Sequence, residues 1–380
     1  PPRPKGVERN LVLTVWDWGS PQDGRADNTS TYKLEPHLNA NGPIYGVSQP
    51  TDLLMILDPR TNKARNITIP SEASEIKNTN VSPLWGQPLW AHKSDPRSIE
   101  MDKTGRLWMT ARHHDNRPAW CNDLEKNIYA KHYRLPAGRG NNVKQVANWD
   151  PKTEKFTYWT LPKEANIDAA QLNMVRPESS HIDGKVWSQN NGFAGVHRLD
   201  LASGKIETWE PFKGAKEPHN IYDIIPDSKN NVYFTDFRHQ HIGRLDAKTG
   251  EVKLFEAPVR GSAPRRGMMD PKDRLWFGMY RGDRIGMFDT NTAQFKVWQL
   301  KTRWASPYDV VLDKNEEAWT GSMLTDQVTR LNTKTDEMVD YLLPRTTNIL
   351  RVFVDNTTTP VTFWTGSNHG ASIVKVEPLD

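Results

Sequence analysis

The chain has 380 residues, 50 Lys plus Arg against 46 Asp plus Glu, a net charge of +4, a single cysteine and fifteen tryptophans. The two signs are interspersed without long runs, and no stretch of about 18 apolar residues occurs. A basic nucleic-acid stripe, a membrane-spanning helix and an intrachain disulfide are thereby excluded, since Cys121 has no second cysteine to meet.

In chain order, the Pro-rich start PPRPKGVERN lacks Met and reads as the trimmed end of a periplasmic or secreted bacterial protein whose signal peptide has been removed. Asn10 to Trp18 alternates as a strand. The segment from Ser20 to Gln49 is polar and aperiodic, and Thr51 to Pro70 supplies two further strands. From Ser94 onward one pattern recurs. Its cleanest copy, Glu217 to Pro258, holds four short strands separated by polar turns, with no helical period between them.

Trp187, Tyr233, Trp276, Trp319 and Trp364 each open the second strand of a copy, at spacings of 43 to 46 residues. A four-stranded unit of that period cannot bury both faces alone and must stack on its copies. The expected fold is all-β, one domain, a seven-bladed β-propeller of four-stranded antiparallel blades. The blades are expected near 10–70, 94–162, 173–212, 218–258, 264–301, 307–344 and 348–380, with an insertion at 113–144. The last copy is one strand short, so a strand near Leu11 to Trp16 is expected to complete it and close the ring. The recurring tryptophans are expected between blades, as core.

Residues leading into the innermost strands ring one mouth of such a propeller. They are Arg97, Asn173, His219, Arg265, Tyr308 and Asn348, a set rich in hydrogen-bond donors that suits an anionic or carbonyl-bearing ligand. The ends of the second strands add Arg112, His113 and Asp236. His219 is expected to face the channel and to converge with Arg265 and Tyr308; the insertion 113–144 is expected to border the same mouth.

The phrases IGRLDAKTG, LWFG and WTGS, with the Pro-led innermost strands, resemble the virginiamycin B lyase (streptogramin lyase) family of seven-bladed propellers. The segments WDWG, ANGPIYG and PAWC look like an exported branch of it. That resemblance implies opening of a cyclic peptide ester by elimination, with Mg²⁺ and a histidine base at the funnel mouth. Glu217-Pro218-His219 stands where the family motif has Glu-Pro-His. Phe237 occupies the place of a second metal-binding Glu and Asn173 that of a second His, while Asp236, one residue off, is expected to turn away from His219.

The reading is thus a lyase that removes a proton next to a carbonyl of an ester- or carboxylate-bearing small-molecule or peptide-like substrate. His219, Glu217 and Tyr308 would carry the chemistry, and Arg97, Arg265, Asn173, Asn348, Arg112 and His113 the substrate. Glu217, His219 and Asp236 would hold Mg²⁺ or another divalent cation, with no organic cofactor. A non-catalytic binding propeller and a metal-dependent hydrolase or lactonase remain alternatives.

Overall fold

A computed structural model describes residues 7–8, 11–17, 31–36, 42–48, 53–69, 96–112, 144–166, 171–367 and 372–379; for 7–8 and 31–36 the backbone alone is described. The described strands form seven antiparallel sheets arranged as one ring, each innermost strand lying against the innermost strand of the next blade. The chain is a seven-bladed β-propeller.

Blade 1 runs through Thr31–Pro36, Ile44–Ser48, Leu53–Asp58 and Lys63–Thr68. Its innermost strand therefore comes from the segment that the sequence pattern leaves blank. Blade 2 comprises Arg97–Met101, Leu107–Arg112, Lys144–Asp150 and Lys155–Thr160; blade 3, Leu172–Arg176, Lys185–Asn190, Gly195–Asp200 and Ile206–Trp209. Blade 4 is Ile221–Pro226, Val232–Asp236, His241–Leu245 and Val252–Glu256; blade 5, Pro264–Met269, Arg274–Met279, Arg284–Asp289 and Gln294–Gln299. Blade 6 is Pro307–Leu312, Glu317–Ser322, Gln327–Asn332 and Met338–Leu342, with a short fifth strand, Val7–Glu8, parallel to its outer edge.

Blade 7 is Ile349–Asp355, Thr362–Ser367 and Ser372–Pro378, completed by Leu11–Asp17 from the other end of the chain. Leu11 pairs with Pro378 and Asp17 with Ser372 in one antiparallel register. The two chain ends thus share a blade, and Leu11–Asp17 covers the edge that Ser372–Pro378 would otherwise expose. The stretch expected as blade 1 from residue 10 divides accordingly: its first strand belongs to blade 7.

The tryptophans wedge between blades. Trp108, Trp187, Trp276 and Trp319 are each 1% exposed, and Trp364 is 3% exposed. An indole needs a partner for its N–H when buried, and the turn between the first and second strands supplies one. Trp108, Trp276 and Trp319 donate to Asp102, Asp270 and Asp313 at 2.8, 3.0 and 2.9 Å. The other oxygen of each Asp caps its turn, as where Asp102 accepts from the amides of Thr104 and Arg106. This recurring Asp, six residues before the Trp, welds the turn to the core at one rim and leaves the opposite rim free to vary.

Candidate functional site

At the variable rim, the innermost strand of blade 4 separates two clusters. Its side chains alternate between the two faces of the blade. Ile221 enters the core shared by blades 3 and 4, with Trp187 and Phe234, whereas Tyr222 turns the other way, toward Arg265 and Tyr308.

The first cluster lies on the blade 3 side. His219 stacks on Phe212 with ring centroids 3.8 Å apart and an interplanar angle of 7°. Its Nδ1 is 2.7 Å from Asp236 Oδ2. Asp236 is fully buried at the end of the second strand, and its Oδ1 accepts from the amide of Asn220 at 3.0 Å. A carboxylate only accepts, so His219 donates from Nδ1 and keeps a lone pair on Nε2. His239 approaches with a ring separation of 4.6 Å, and His241 Nδ1 lies 3.6 Å from Asp236 Oδ2.

Two expectations are corrected here. Asp236 does not turn away from His219: along Val232–Asp236 it shares the face of Val232 and Phe234, which is the face His219 covers. Nor does His219 face the channel, because stacking on Phe212 holds it over the interface between blades 3 and 4. Glu217 is exposed and makes no side-chain hydrogen bond or ion pair among the described residues, so the carboxylate that holds His219 is Asp236.

The second cluster lies on the blade 5 side. The Arg265 guanidinium carbon sits 3.9 Å from the ring centroid of Tyr280, 4.1 Å from Tyr308, 4.6 Å from Phe237 and 4.7 Å from Tyr222. Nη1 points at the Met323 sulfur at 3.5 Å, and Nε is buried without a hydrogen-bond partner. The Tyr222 and Tyr308 hydroxyls share a hydrogen bond. Arg265 and Tyr308 thus converge as the sequence suggests, and His219 stands apart from both. Phe237 joins the clusters: its ring rests on Arg265, while Asp236, the adjacent residue, holds His219.

Of the remaining mouth positions, Arg97 Nη1 donates to Asn173 Oδ1 at 2.7 Å, and Asn348 donates to the Met323 carbonyl at 3.1 Å. The backbone of Arg112 ends its strand; its side chain, His113 and the insertion through residue 143 lie outside the described residues, as does the expected placement of that insertion.

Below the mouth the channel is filled by a layer that the sequence pattern missed. Six successive blades contribute Glu100, Arg176, Asp223, Arg266, Asp309 and Arg351, alternating in sign and all buried. Arg176 reaches Glu100 at 3.0 Å and Asp223 at 2.6 Å; Arg351 reaches Glu100 and Asp309 at 3.1 Å each. Burial pulls the Asp223 carboxyl up, but Arg176, Arg351 and Arg266 overcome it and hold the group below the usual carboxylate range. The signal was present: each of these innermost strands carries a charged residue among mostly apolar ones, of alternating sign from blade to blade.

A profile of the virginiamycin B lyase family matches residues 144–378. The chain belongs to that family. Among solved structures it is similar to virginiamycin B lyase from Staphylococcus aureus, with a TM-score of 0.68, 16% identity, and coverage of 97% of this chain and 100% of that one. A catalytically inactive histidine-to-alanine variant of that lyase with quinupristin matches at a TM-score of 0.67, 15% identity, and coverage of 97% and 100%. The extracellular domain of a putative one-component system from B. thetaiotaomicron also matches, with a TM-score of 0.58, 13% identity, and coverage of 96% and 40%. At these identities the likeness establishes the propeller and no more. No curated protein matches the chain. No helix among the described residues is long and apolar enough to cross a membrane.

Proposed function

We propose that the protein is a carbon–oxygen lyase of its family, opening an ester by elimination at the rim of blades 4 to 6. The observation that carries this reading is the 2.7 Å contact between His219 Nδ1 and the buried Asp236 carboxylate, at the family's Glu-Pro-His motif. Asp236 fixes the tautomer and leaves Nε2 as the base. Nε2 takes the proton from the carbon next to the substrate carbonyl. The C–H electrons form the new double bond, the ester C–O bond breaks, and the acid portion leaves as a carboxylate. Protonated His219 then returns its proton to solvent. Arg265 and the hydroxyl of Tyr308 supply donors for the substrate oxygens on the far side of Phe237.

His219, Asp236 and His239 offer ligand atoms within 4.8 Å of one another. A divalent ion there would act as a Lewis acid on the carbonyl. Two imidazoles and one carboxylate fit Mg²⁺ poorly, since it favours oxygen ligands, so the proton transfer above is assigned to side chains alone.

A second reading, a binding propeller, is favoured by the aromatic enclosure of Arg265, which needs no base to hold a ligand. Mass spectrometry after incubation with a cyclic depsipeptide such as quinupristin separates the readings. Elimination opens the ring with no change of mass, hydrolysis adds one water, and a binding protein leaves the compound intact. An unchanged rate in folded His219→Ala would overturn the role given to His219.

A further inference from the structure

We infer that the enclosure of Arg265 by Tyr222, Phe237, Tyr280 and Tyr308 is a subsite for a carboxylate borne on a flat, unsaturated body. The inference rests on the proposed site for its location, but concerns binding and requires no chemistry there.

An aromatic enclosure ordinarily receives a cation from a ligand. Here the cation is already built in, with ring centroids 3.9 to 4.7 Å from the guanidinium carbon. Four rings this close confine the guanidinium, and a guanidinium recognises a carboxylate through two parallel N–H groups that match its two oxygens. Those donors are little used: Nη1 meets only a thioether, and Nε is buried with no partner. No acidic side chain among the described residues pairs with Arg265. A half-buried guanidinium without an acid gives up hydration that cation–π contacts only partly offset. An incoming carboxylate supplies the missing partner.

The surroundings point to the same sign of charge. Arg238, Arg260, Arg281 and Arg303 are exposed on the loops of this rim and carry no ion pair among the described residues. Two acids of this rim are engaged by backbone amides, while Glu217 is exposed. Asp283 accepts from Trp304 and Ser306 at 2.8 and 2.9 Å, and Asp326 accepts from Thr347 at 2.8 Å. At the opposite rim Arg274 is paired with Asp270 at 2.7 Å and Lys296 with Asp336 at 2.9 Å. The four arginines without an ion pair make this mouth attractive to an anion. The flat body follows from what borders the guanidinium: the half-exposed rings of Phe237 and Tyr280, with Trp304 (73% exposed) and Leu324 (57% exposed) on neighbouring loops.

Calorimetric titration of the purified full chain with 4-hydroxybenzoate, 4-hydroxybenzamide and sodium sulfate tests this. The carboxylate is expected to bind, more weakly as salt rises, and the amide and sulfate to bind at least about tenfold more weakly. Arg265→Lys keeps the charge but loses the planar fork, and should weaken benzoate binding about tenfold or more. Arg244→Met, on the third strand of blade 4, should leave it unchanged. His219→Ala should also bind normally, so loss of the lyase reading and loss of this one are separable. Equal binding of carboxylate and amide, equal binding of carboxylate and sulfate, or full affinity in folded Arg265→Lys would each overturn the inference.

Discussion

Arg176 of blade 3 and Asp223 of blade 4 meet at 2.6 Å between Nη2 and Oδ2, with side chains 4% and 0% exposed. The same guanidinium donates to the Gly267 carbonyl of blade 5, and the amide of Gly267 donates back to Asp223 at 3.2 Å. Three blades are thus tied at the axis by two side chains and one peptide. Removing one partner strands the other as a buried charge, a loss of about 3–5 kcal/mol. Asp223→Ala should therefore lower the denaturation midpoint far more than Asp246→Ala, whose carboxylate caps an exposed turn. Equal shifts in the two variants under chemical denaturation would refute a structural role for the axial charges.

Gly267 carries a sharper constraint. A Cβ there would stand 1.7 Å from the carbonyl oxygen of Trp276, a backbone atom that cannot rotate away. Gly267→Ala should express poorly or melt well below the parent protein, through displacement of both Arg176 and Asp223 from their contacts. A parental melting curve for this variant would show that the inner strand yields more easily than its packing suggests.

The propeller was legible because its code is redundant: aromatic residues at one position of five copies and a turn aspartate before most of them state the same unit repeatedly. Blade 1 was not, since its innermost strand Thr31–Pro36 is mostly polar and lies in a segment without the alternation that marks the later copies. The facing of His219 failed because the blades were aligned on the wrong residue. Ile221, Pro264 and Pro307 stand level in their sheets, so Tyr222 is the counterpart of Arg265 and Tyr308, and His219, three residues earlier, meets Phe212 from the preceding connection, a surface that no strand count reveals. The convergence of Arg265 with Tyr308 was readable from equivalent positions in neighbouring blades, and so was the rest of the enclosure: Tyr222 precedes Asp223 as Arg265 precedes Arg266 and Tyr308 precedes Asp309, while Phe237 and Tyr280 each follow the end of a second strand.

His197 gives the stability a pH dependence of known sign. Its ring is buried between Thr208 and Asn190, and burial pushes its pKa down to about 3 from the ordinary 6.5. Between those values the unfolded chain binds a proton that the folded chain refuses, so stability rises with pH through the window and falls as pH drops below 6.5. The loss from pH 7 to pH 5 should be about 2 kcal/mol. His197→Gln, which retains hydrogen-bonding groups without the titration, should flatten this part of the profile in urea titrations at several pH values. A slope identical to that of the parent would remove His197 as its source.

The closure between the chain ends should be separable from the rest of the ring. Trp16 stacks on Trp364 at 5.6 Å and 8°, and its indole donates to Asn62 of blade 1 at 3.0 Å, so it joins blade 7 to its neighbour. Trp16→Ala should cost about 2–4 kcal/mol, below the usual toll for a fully buried Trp because this one is half-buried. Removal of residues 1–17 should cost more, exposing the edge of Ser372–Pro378 and favouring aggregation on heating. Comparing the two by light scattering during a thermal ramp distinguishes a lost side chain from a lost strand, and equal onset temperatures would argue against an edge-protecting role.

The last prediction concerns how Asp236 acts on His219. If the carboxylate fixes the tautomer, Asp236→Asn keeps the size and the acceptor oxygen but lets the amide donate to Nδ1, which would place the ring proton on Nε2 and occupy the base. The rate of ring opening should then fall by about 10² or more, comparable with His219→Ala, while binding at Arg265 is kept because that guanidinium lies on the other face of the blade. The double variant should be little worse than either single one, as expected for residues that act as a unit. Full additivity, with the double variant losing the product of the two single effects, would mean that Asp236 serves the fold and His219 the reaction independently. Near-parental turnover in Asp236→Asn would be more damaging still, because it would leave His219 without the orientation on which its assignment as the base depends.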